Sequence, residues 1–178
     1  MSGSKISAGR VTQLSENEID DLCEAAAEAI TEGGGFGWLK PPPRHVMEAF
    51  WRGVLMVPER ILVVGRLDGT IAGSAQLQRP PRNNEAQAHS CWLTTAFVAP
   101  WARGHGLSHA ITEAIETVAL ESGYKTLNLD VRETQTRAIE IYTARGYVHW
   151  GTNPRYARVG GQFVAGLYFY KVLNGDGA

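Results

Sequence analysis

The stretch VAPWARGHGLSHAI, residues 98–111, decides the interpretation of this chain. Its apolar residues stop at a proline, and Arg103 with two glycines then leads directly into the spacing of an amphipathic helix. Gly104 and Gly106 can adopt dihedrals closed to other residues and let a ligand approach the main chain. The first N–H groups of a helix lack partners inside it and lie at the positive end of its dipole. The segment therefore predicts a phosphate or pyrophosphate site at the N–H groups of residues 104–108, with a ligand-free turn as the simpler alternative.

The composition is that of an ordinary globular protein, with 44% hydrophobic and 20% charged residues among 178. A chain of this length usually forms one core, so we expect a single domain over residues 1–178. A formal net charge of -1 argues against broad nucleic-acid or membrane-surface binding. The chain has neither a long apolar run nor the apolar core of a signal peptide at its start, so we expect a cytoplasmic protein.

The two cysteines, Cys23 and Cys91, lie in a helix-like and a strand-like segment. We expect both to be reduced core residues, because a disulfide framework needs more cysteines than this. The five histidines are scattered, and no Cys/His cluster has the spacing of a zinc site. The sequence therefore predicts no bound metal.

Two helices are predicted before the first strands. Ser15 and Glu18 have capping-box spacing and open an amphipathic helix that ends at the glycines after residue 32. A second helix is expected to start near Pro43. Its apolar stripe is predicted to contain Val46, Met47, Phe50, Trp51, Val54 and Leu55.

The rest of the chain alternates between strand and helix patterns. Asp68-Gly69, the strongest hairpin signal, separates two strand-like segments, and a third strand follows within residues 90–100. Next come a helix up to Gly123, a strand, a helix up to Gly146, and two closing strands around a Gly-Gly turn. This order predicts a mixed α/β sheet with a single β-α-β step at its centre. The last residues, 174–178, have the composition of a disordered end.

Two other phosphate-binding motifs fit the glycine turn less well. A P-loop ends in Gly-Lys-Ser/Thr, and residues 98–111 contain no lysine. A dinucleotide fingerprint needs a third glycine where this chain has His109, although Asp130 follows at a suitable distance. That fold also places its motif after the first strand. A nicotinamide dinucleotide enzyme therefore stays a remote alternative.

The glycine turn resembles the acyl-CoA signature of the GNAT superfamily of N-acyltransferases, Arg/Gln-x-x-Gly-x-Gly/Ala. Arg103 and Gly106 match it, and Ser108 stands where glycine or alanine is usual. A second family signature is similar to LDVRETQTRAIEIYTARGY, residues 129–147, in which Gln135 replaces the usual asparagine. The matching residues of this segment are Val131, Ala138, Tyr142, Gly146 and Tyr147. The order of elements agrees as well, so the resemblance covers nearly the whole chain.

The resemblance implies a mostly antiparallel mixed sheet of about seven strands, with helices on both faces. Two neighbouring parallel strands splay apart in a V, and the pantetheine arm of acetyl-CoA lies in the gap, held as an added strand would be. The implied cofactor-binding residues are Ala96, Phe97, Val98, Arg103, Gly104, His105, Gly106, Leu107, Ser108, Gln135 and Tyr142.

The resemblance also implies the chemistry. Tyr142 occupies the family position of the acid that protonates the leaving thiolate, although a tyrosine on an apolar stripe is also typical of core packing. Asp130 lies at a strand end where several members carry the base that deprotonates the amine. Its alternative role is a solvated carboxylate that only attracts a cationic substrate. Glu133 and His89 are weaker candidates for the base.

The implied function is an acetyl-CoA-dependent N-acetyltransferase that acts by direct transfer, without a metal. A homodimer is expected, because dimers are frequent in this family. Short matches to tabtoxin-resistance-type acetyltransferases suggest an amino-acid-like or antibiotic amine as acceptor. An aromatic wall over the acceptor is predicted from Phe36, Trp38, Trp92 and Tyr156. A non-catalytic acyl-CoA-binding sensor of the same fold is the main alternative, and it would need neither Tyr142 nor Asp130.

Overall fold

A computed structural model describes residues 3–173. Its strands are β1 (Ile6–Val11), β2 (Arg60–Leu67), β3 (Thr70–Gln78), β4 (Ser90–Val98), β5 (Thr126–Arg132), β6 (Val148–Val159) and β7 (Gln162–Val172). Its helices are α1 (Glu16–Thr31), α2 (Arg44–Met56), α3 (Leu107–Glu121) and α4 (Thr136–Ala144), with short 3-10 turns at Glu85–Gln87 and Pro100–Ala102. The disorder predicted for residues 174–178 lies outside the described residues.

The described strands form one seven-stranded sheet in the order β1-β2-β3-β4-β5-β7-β6. Every neighbouring pair is antiparallel except β4 and β5, which are parallel and joined by α3. The mixed, mostly antiparallel sheet with one β-α-β step is therefore confirmed. None of the described helices has the length and apolar character needed to cross a membrane.

Helices cover both faces of the sheet, as predicted. Alternate residues of β2 point to opposite faces. Ile61 and Val63 pack in a core formed with α3 and α4, whereas Leu62 and Val64 pack in a second core formed with α1 and α2. The two cores hold the sheet as a rigid middle layer, and the loops at its edge can then carry a site.

The capping box at the start of α1 is confirmed. The Ser15 hydroxyl accepts from the Glu18 N–H, 3.2 Å, and the Ser15 N–H donates to the Glu18 carboxylate, 2.9 Å. The stripe of α2 is narrower than predicted: Met47, Trp51 and Val54 are buried, but Val46 is 38% exposed. The prediction for Val46 is wrong. Met47, Trp51 and Val54 form an i, i+4, i+7 row on one face of the helix, and Val46 lies one residue before that row, about 100° around the helix and toward solvent.

The hairpin at Asp68-Gly69 is confirmed, with φ of 51° and 92° at its two central residues. Strand β1 is not predicted by the sequence pattern, although it pairs antiparallel with β2 along its whole length. Its sequence, ISAGRV, interrupts the apolar alternation with serine, glycine and arginine. Pairing with β2 and partial burial of Ile6 and Ala8 in the α3 core stabilise it.

Strands β4 and β5 form a V that opens toward their C-terminal ends. They pair only where Ser90–Trp92 faces Thr126–Asn128, and beyond that point the register between them ends. The Asn128 amide donates to the Ser90 hydroxyl, 2.6 Å, and to the Cys91 carbonyl, 3.1 Å, which fixes the closed end. The predicted splay between the two parallel strands is therefore confirmed, and α3 and α4 both begin at its open end.

A buried ion cluster ties α3 to the end of α4. Arg145 donates to both carboxylate oxygens of Glu116, at 3.1 and 2.8 Å, and the Lys171 ammonium lies 3.1 Å from one of them. Burial alone would raise the pKa of Glu116, but the hydrogen bonds and charges of Arg145 and Lys171 outweigh it, so the pKa is lowered. The cluster holds α4, and with it Tyr142, in a fixed position against α3.

Candidate active site

The glycine turn presents unpaired N–H groups at the open end of the V. Gly104 and Gly106 both have φ of +82°, a conformation that favours glycine. Gly106 is the N-cap of α3 and offers no side-chain cap, and the first bond within the helix is from Ala110 N to Gly106 O, 3.1 Å. The N–H groups of the first turn therefore remain available to an anion.

A groove of about 390 Å³ lies against this turn. It is bounded by the end of β4, the glycine turn, the first turn of α3 and the start of α4. All predicted cofactor-binding residues except His105 line it: Ala96, Phe97, Val98, Arg103, Gly104, Gly106, Leu107, Ser108, Gln135 and Tyr142. The His105 ring nitrogen Nδ1 instead donates to the Arg103 carbonyl, 3.0 Å, and thereby stiffens the turn. We call this cavity the donor groove.

The loop after α1 closes one side of the donor groove. Arg103 forms an ion pair of 2.7 Å with Glu32, and both side chains are about half exposed, at 50% and 53%. Gln135 donates to the Gly33 carbonyl, 2.7 Å. Both predicted cofactor residues are therefore engaged with this loop in the structure, and the surface ion pair is weak enough for a bound anion to displace.

Strand β4 carries a bulge beside both the groove and the V. Ser74 pairs with Phe97 and Gln76 with Thr94, so β4 has one more residue than β3 over this interval. Thr95 has φ of +51°, which is strained for a β-branched residue. A bulge leaves its extra residue outside the ladder. Main-chain groups near Thr95 are thereby freed at the point where the strands separate.

A second cavity, of about 410 Å³, adjoins the donor groove at the open end of the V and is called the acceptor cavity. It is bounded by the loop after α1, the ends of β4 and β5, and the second half of β6. Its polar lining includes Thr94, Asp130, Arg132, Tyr156 and Arg158. The residues that line both cavities are Gly35, Ala96, Gln135, Ala138 and Tyr142.

Tyr142 thus stands where the two cavities meet. Its side chain is only 7% exposed and its ring packs 5.5 Å from that of Tyr147. Burial raises the pKa of Tyr142 to about 12, so the phenol keeps its proton at neutral pH and is able to donate a hydrogen bond. This position is compatible with both predicted roles of Tyr142. Its ring packs in the core, and the residue also borders both cavities, where an acid would be needed.

Asp130 lines the acceptor cavity, and the Tyr156 hydroxyl donates to its carboxylate oxygen Oδ2. Burial and then this hydrogen bond raise the pKa of Tyr156. Tyr156 reaches Asp130 because β6 is irregular between Asn153 and Ala157, where four steps along β6 match two along β7. A Cβ on Gly166 would overlap the Tyr156 ring, so glycine is required there for the ring to lie against β7.

The predicted aromatic wall is only partly assembled. Phe36 and Tyr156 line the acceptor cavity, and the Phe36 carbonyl accepts from Arg132. Trp38 packs 5.1 Å from Phe50 in the core beneath α1 and α2, and it lines neither cavity. Trp92 also lines neither, because it pairs with Asn128 at the closed end of the V. The structure therefore does not bring these two tryptophans to the site.

The other base candidates, Glu133 and His89, line neither cavity. Glu133 accepts from the Ala165 N–H, 3.2 Å, and His89 lies just before β4, at the closed end of the V. The arginines of the acceptor cavity, Arg132 and Arg158, are not predicted by the sequence pattern. The alternation of β5 could have indicated Arg132, since residues i and i+2 of a strand share a face with Asp130.

The residues present fit an acyl-CoA. Free N–H groups at a helix start with Arg103 beside them suit a pyrophosphate. The unpaired edge of β4 within the V suits an extended arm that binds as a strand does. Among residues 3–173, no group of three or more His, Cys, Asp and Glu side chains is arranged to hold a metal ion.

Comparison with known proteins agrees with this geometry. The sequence pattern of the acetyltransferase (GNAT) family matches residues 21–147. An uncharacterised N-acetyltransferase in the hisH-hisA intergenic region of Azospirillum brasilense is 61% identical over 132 residues, which cover 74% of this chain and 79% of that one.

Two solved structures share the fold. An N-acetyltransferase from Staphylococcus aureus Mu50 superposes with a TM-score of 0.80 at 16% identity, covering 97% of this chain and 99% of that one. A protein from Salmonella typhimurium, solved with its cofactor acetyl-CoA, superposes with a TM-score of 0.78 at 12% identity, covering 97% of this chain and 96% of that one. The family assignment displaces the dinucleotide alternative. This chain belongs to the acetyltransferase (GNAT) family and is an acyltransferase.

Proposed function

We propose that this protein transfers an acetyl group from acetyl-CoA to a primary amine of a small molecule, amino-acid-like or an antibiotic, by direct attack in a ternary complex. The observation that carries the proposal is the meeting of the donor groove and the acceptor cavity at Tyr142. A protein that only sensed acyl-CoA would need the groove but not an adjoining polar cavity with a carboxylate in it.

In this proposal the donor groove holds the cofactor through main-chain groups. The N–H groups of residues 104–108 bind the pyrophosphate, and Arg103 exchanges Glu32 for it. The main chain at Ala96, Phe97 and Val98 holds the pantetheine arm. The thioester then lies beside the β4 bulge, where a freed N–H stabilises the negative charge that develops on the carbonyl oxygen.

The acceptor amine attacks from the other cavity. Asp130 takes the amine proton, since Tyr156 occupies only one of its two carboxylate oxygens. A bond forms between the amine nitrogen and the acetyl carbon, the carbon–sulfur bond breaks, and CoA leaves as a thiolate that must gain a proton. The products are the N-acetylated amine and CoA.

Tyr142 donates a hydrogen bond to the leaving sulfur. Because the pKa of Tyr142 is about 12, full proton transfer from its hydroxyl to a thiolate whose thiol has an ordinary pKa, about 8.5, is uphill. The bond therefore acts chiefly by stabilising charge on sulfur as it develops, and the departing thiolate takes its proton from solvent. This role needs the hydroxyl at the junction of the cavities and not merely the ring.

A route through an acetylated cysteine has no support in the structure. Cys23 and Cys91 are both buried, and burial raises their pKa values to about 11 and about 12. Neither residue lines the donor groove or the acceptor cavity. A nucleophilic cysteine needs an accessible thiolate, and neither side chain supplies one.

The proposal includes a homodimer as the assembled form, supported by the exposed edge strand β6. Val148 and Trp150 on this strand are 49% and 61% exposed, and β6 pairs only with β7 among the described strands. Light scattering on the purified protein measures the assembly. The cytoplasmic location expected from the composition stays a prediction.

The function is tested by following thiol release from acetyl-CoA in the presence of single amines, amino acids, peptides and antibiotics, with calorimetry of acetyl-CoA binding alongside. We expect binding, and thiol release that depends on at least one small amine, with the N-acetyl product identified by mass. Binding without thiol release for any amine would favour the sensor alternative. Absence of binding would contradict the donor groove.

A further inference from the structure

The charged side chains that line the acceptor cavity carry a net positive charge. Its charged lining residues are one carboxylate, Asp130, and two guanidinium groups, Arg132 and Arg158. The hydrogen-bond donor to Asp130 is the neutral Tyr156 hydroxyl. No ion pair joins Asp130 to either arginine within the described residues 3–173. The cavity therefore offers a place for an ammonium group and, separately, an excess of positive charge.

Both arginines keep donors unused. Arg132 gives one N–H to the Phe36 carbonyl, and Arg158 makes a long contact of 3.5 Å from Nε to the Gly161 carbonyl. The Arg158 guanidinium also lies 5.9 Å from the ring centre of Phe163. A guanidinium has five N–H donors in a planar fork that matches a carboxylate. Over the described part of the chain, the remaining donors of both groups have no protein acceptor.

The strand irregularity that places Tyr156 in the cavity also places Arg158 there. Beyond the irregularity Ala157 pairs with Val164, and residues 156 and 158 alternate with it on one side of β6. Gly166 makes room for the ring of Tyr156, as described above. A third unused group is the Thr94 hydroxyl, a lining group whose oxygen is buried without a hydrogen-bond partner. Local backbone geometry therefore builds this charged cavity.

We propose that the acceptor carries a carboxylate as well as its amine, as an amino acid or a close analogue does. Arg158 and Arg132 bind the carboxylate while Asp130 faces the amine. This inference rests on the proposed function and narrows it, because a polycationic antibiotic or a polyamine would meet two guanidinium groups with no anion to offer them. Arg158 is the specificity-determining residue, since Arg132 is partly engaged by the loop after α1.

Arg155 provides a matched control on the same strand. Its guanidinium carbon lies 3.9 Å from the ring centre of Phe163, and it lines neither the donor groove nor the acceptor cavity. Arg155→Gln and Arg158→Gln therefore remove the same charge, from outside and from inside the proposed site. Arg158→Lys keeps the charge but loses the bidentate geometry.

The test compares amino acids with their carboxamides, which keep the amine and side chain but lack the negative charge. The standard amino acids are first screened, together with spermidine, for thiol release. We expect the wild type to prefer the best amino acid over its carboxamide in kcat/KM. Arg158→Gln should lower kcat/KM for the acid at least about tenfold, mainly through KM, because a charge-assisted bidentate contact is lost.

The other comparisons sharpen the result. Arg158→Gln should leave kcat/KM for the carboxamide within about twofold of the wild-type value. Arg155→Gln should not change kcat/KM for either substrate, and Arg158→Lys should recover part of the loss with the acid. Equal use of carboxamides or spermidine by the wild type would overturn the proposal. An equal loss in Arg155→Gln and Arg158→Gln would overturn it as well, because a general charge effect would then explain the preference.

Calorimetry separates this proposal from the proposed function. Amino acids and carboxamides are titrated into the CoA-bound wild type and Arg158→Gln. Preferential binding of the acid that depends on Arg158 supports the carboxylate site even when no amine is acetylated, in which case only the proposed function fails. Acetyl transfer confined to amines without a carboxylate leaves the proposed function intact and refutes the carboxylate site.

Discussion

The donor groove and the acceptor cavity have similar volumes, about 390 and 410 Å³, but they are built from different parts of the chain. The donor groove is organised around main-chain groups, those of a glycine turn, a helix start and an unpaired strand edge. The acceptor cavity is formed by side chains from four separate segments. Its Asp130–Tyr156 bond joins residues 26 apart, and its Arg132–Phe36 bond joins residues 96 apart.

This difference predicts that the two cavities respond differently to substitution. Every residue except proline offers the same main-chain N–H, so a groove built from N–H groups tolerates exchange of most side chains that surround it. A cavity built from side chains changes its preference when one of them changes. We therefore expect substitutions in the donor groove to affect acetyl-CoA with every acceptor, and substitutions in the acceptor cavity to distinguish among acceptors.

The largest expected effect is that of Asp130→Asn in the acceptor cavity. Loss of the base should lower kcat/KM by about 10²- to 10³-fold at pH 6–7, and the deficit should shrink at higher pH, where more of the amine is already uncharged. A pH–rate profile of wild type and variant measures this. A loss confined to KM and weakened by salt would show that Asp130 only attracts the substrate.

Tyr142→Phe, at the junction of the two cavities, is expected to have the next largest effect. Turnover should fall by about 10²-fold while acetyl-CoA affinity changes little, because the buried ring still packs against Tyr147. The deficit should shrink with an acyl donor whose thiol has a lower pKa, since that leaving group needs less stabilisation. An equal deficit with both donors would assign Tyr142 to positioning, and full activity would leave it as a core residue.

Glu116→Gln, in the ion cluster that lies outside both cavities, should lower the stability of the fold. We expect a loss of about 2 kcal/mol in the free energy of unfolding at neutral pH, because hydrogen bonds to charged groups are lost and two cations remain. Chemical denaturation measures it.

The pH dependence of this loss follows from the lowered pKa of Glu116. The stabilisation is fully present above the unfolded carboxyl pKa, about 4.3, and disappears as the pH falls through the lower folded value. The difference between wild type and variant should therefore be constant near neutrality and shrink in acid. A difference that grew in acid would contradict the cluster.

Gly106→Val should have the smallest effect, confined to the donor groove. Acetyl-CoA should bind about tenfold more weakly with every acceptor, because the branched side chain disturbs the turn whose N–H groups hold the anion. Gly123→Val is the control: Gly123 has φ of +85°, close to the +82° of Gly106, but lies past the other end of α3. Calorimetry on both folded variants that showed the same affinity would remove the turn from the site.

The comparison also explains what the sequence can predict. The glycine turn of the donor groove is encoded locally, because its two glycines and the helix that follows them are contiguous in the chain. The capping box at Ser15 and the Asp68-Gly69 hairpin are local in the same sense. Such features depend on a few neighbouring residues, so their residue types indicate their geometry directly.

The acceptor cavity and strand β1 depend on contacts between residues that are distant in the sequence. Strand β1 has little alternation of its own and forms because β2 offers it a partner. Trp92 resembles a substrate contact in the sequence, but the pairing of β4 with β5 places it at the closed end of the V. Arg158 reaches the cavity through an irregularity in β6 between Asn153 and Ala157. Pro154 is compatible with a break in the pairing there, but it does not indicate which side chains then face the cavity.

The central claim is that donor and acceptor occupy adjoining cavities at the same time. It is tested most directly by initial rates over a grid of acetyl-CoA and acceptor concentrations, with the best amine from the thiol-release screen. Simultaneous occupancy predicts lines that intersect in double-reciprocal plots. Parallel lines would show that CoA leaves before the amine binds, which requires a covalent acetyl-enzyme and would contradict the account.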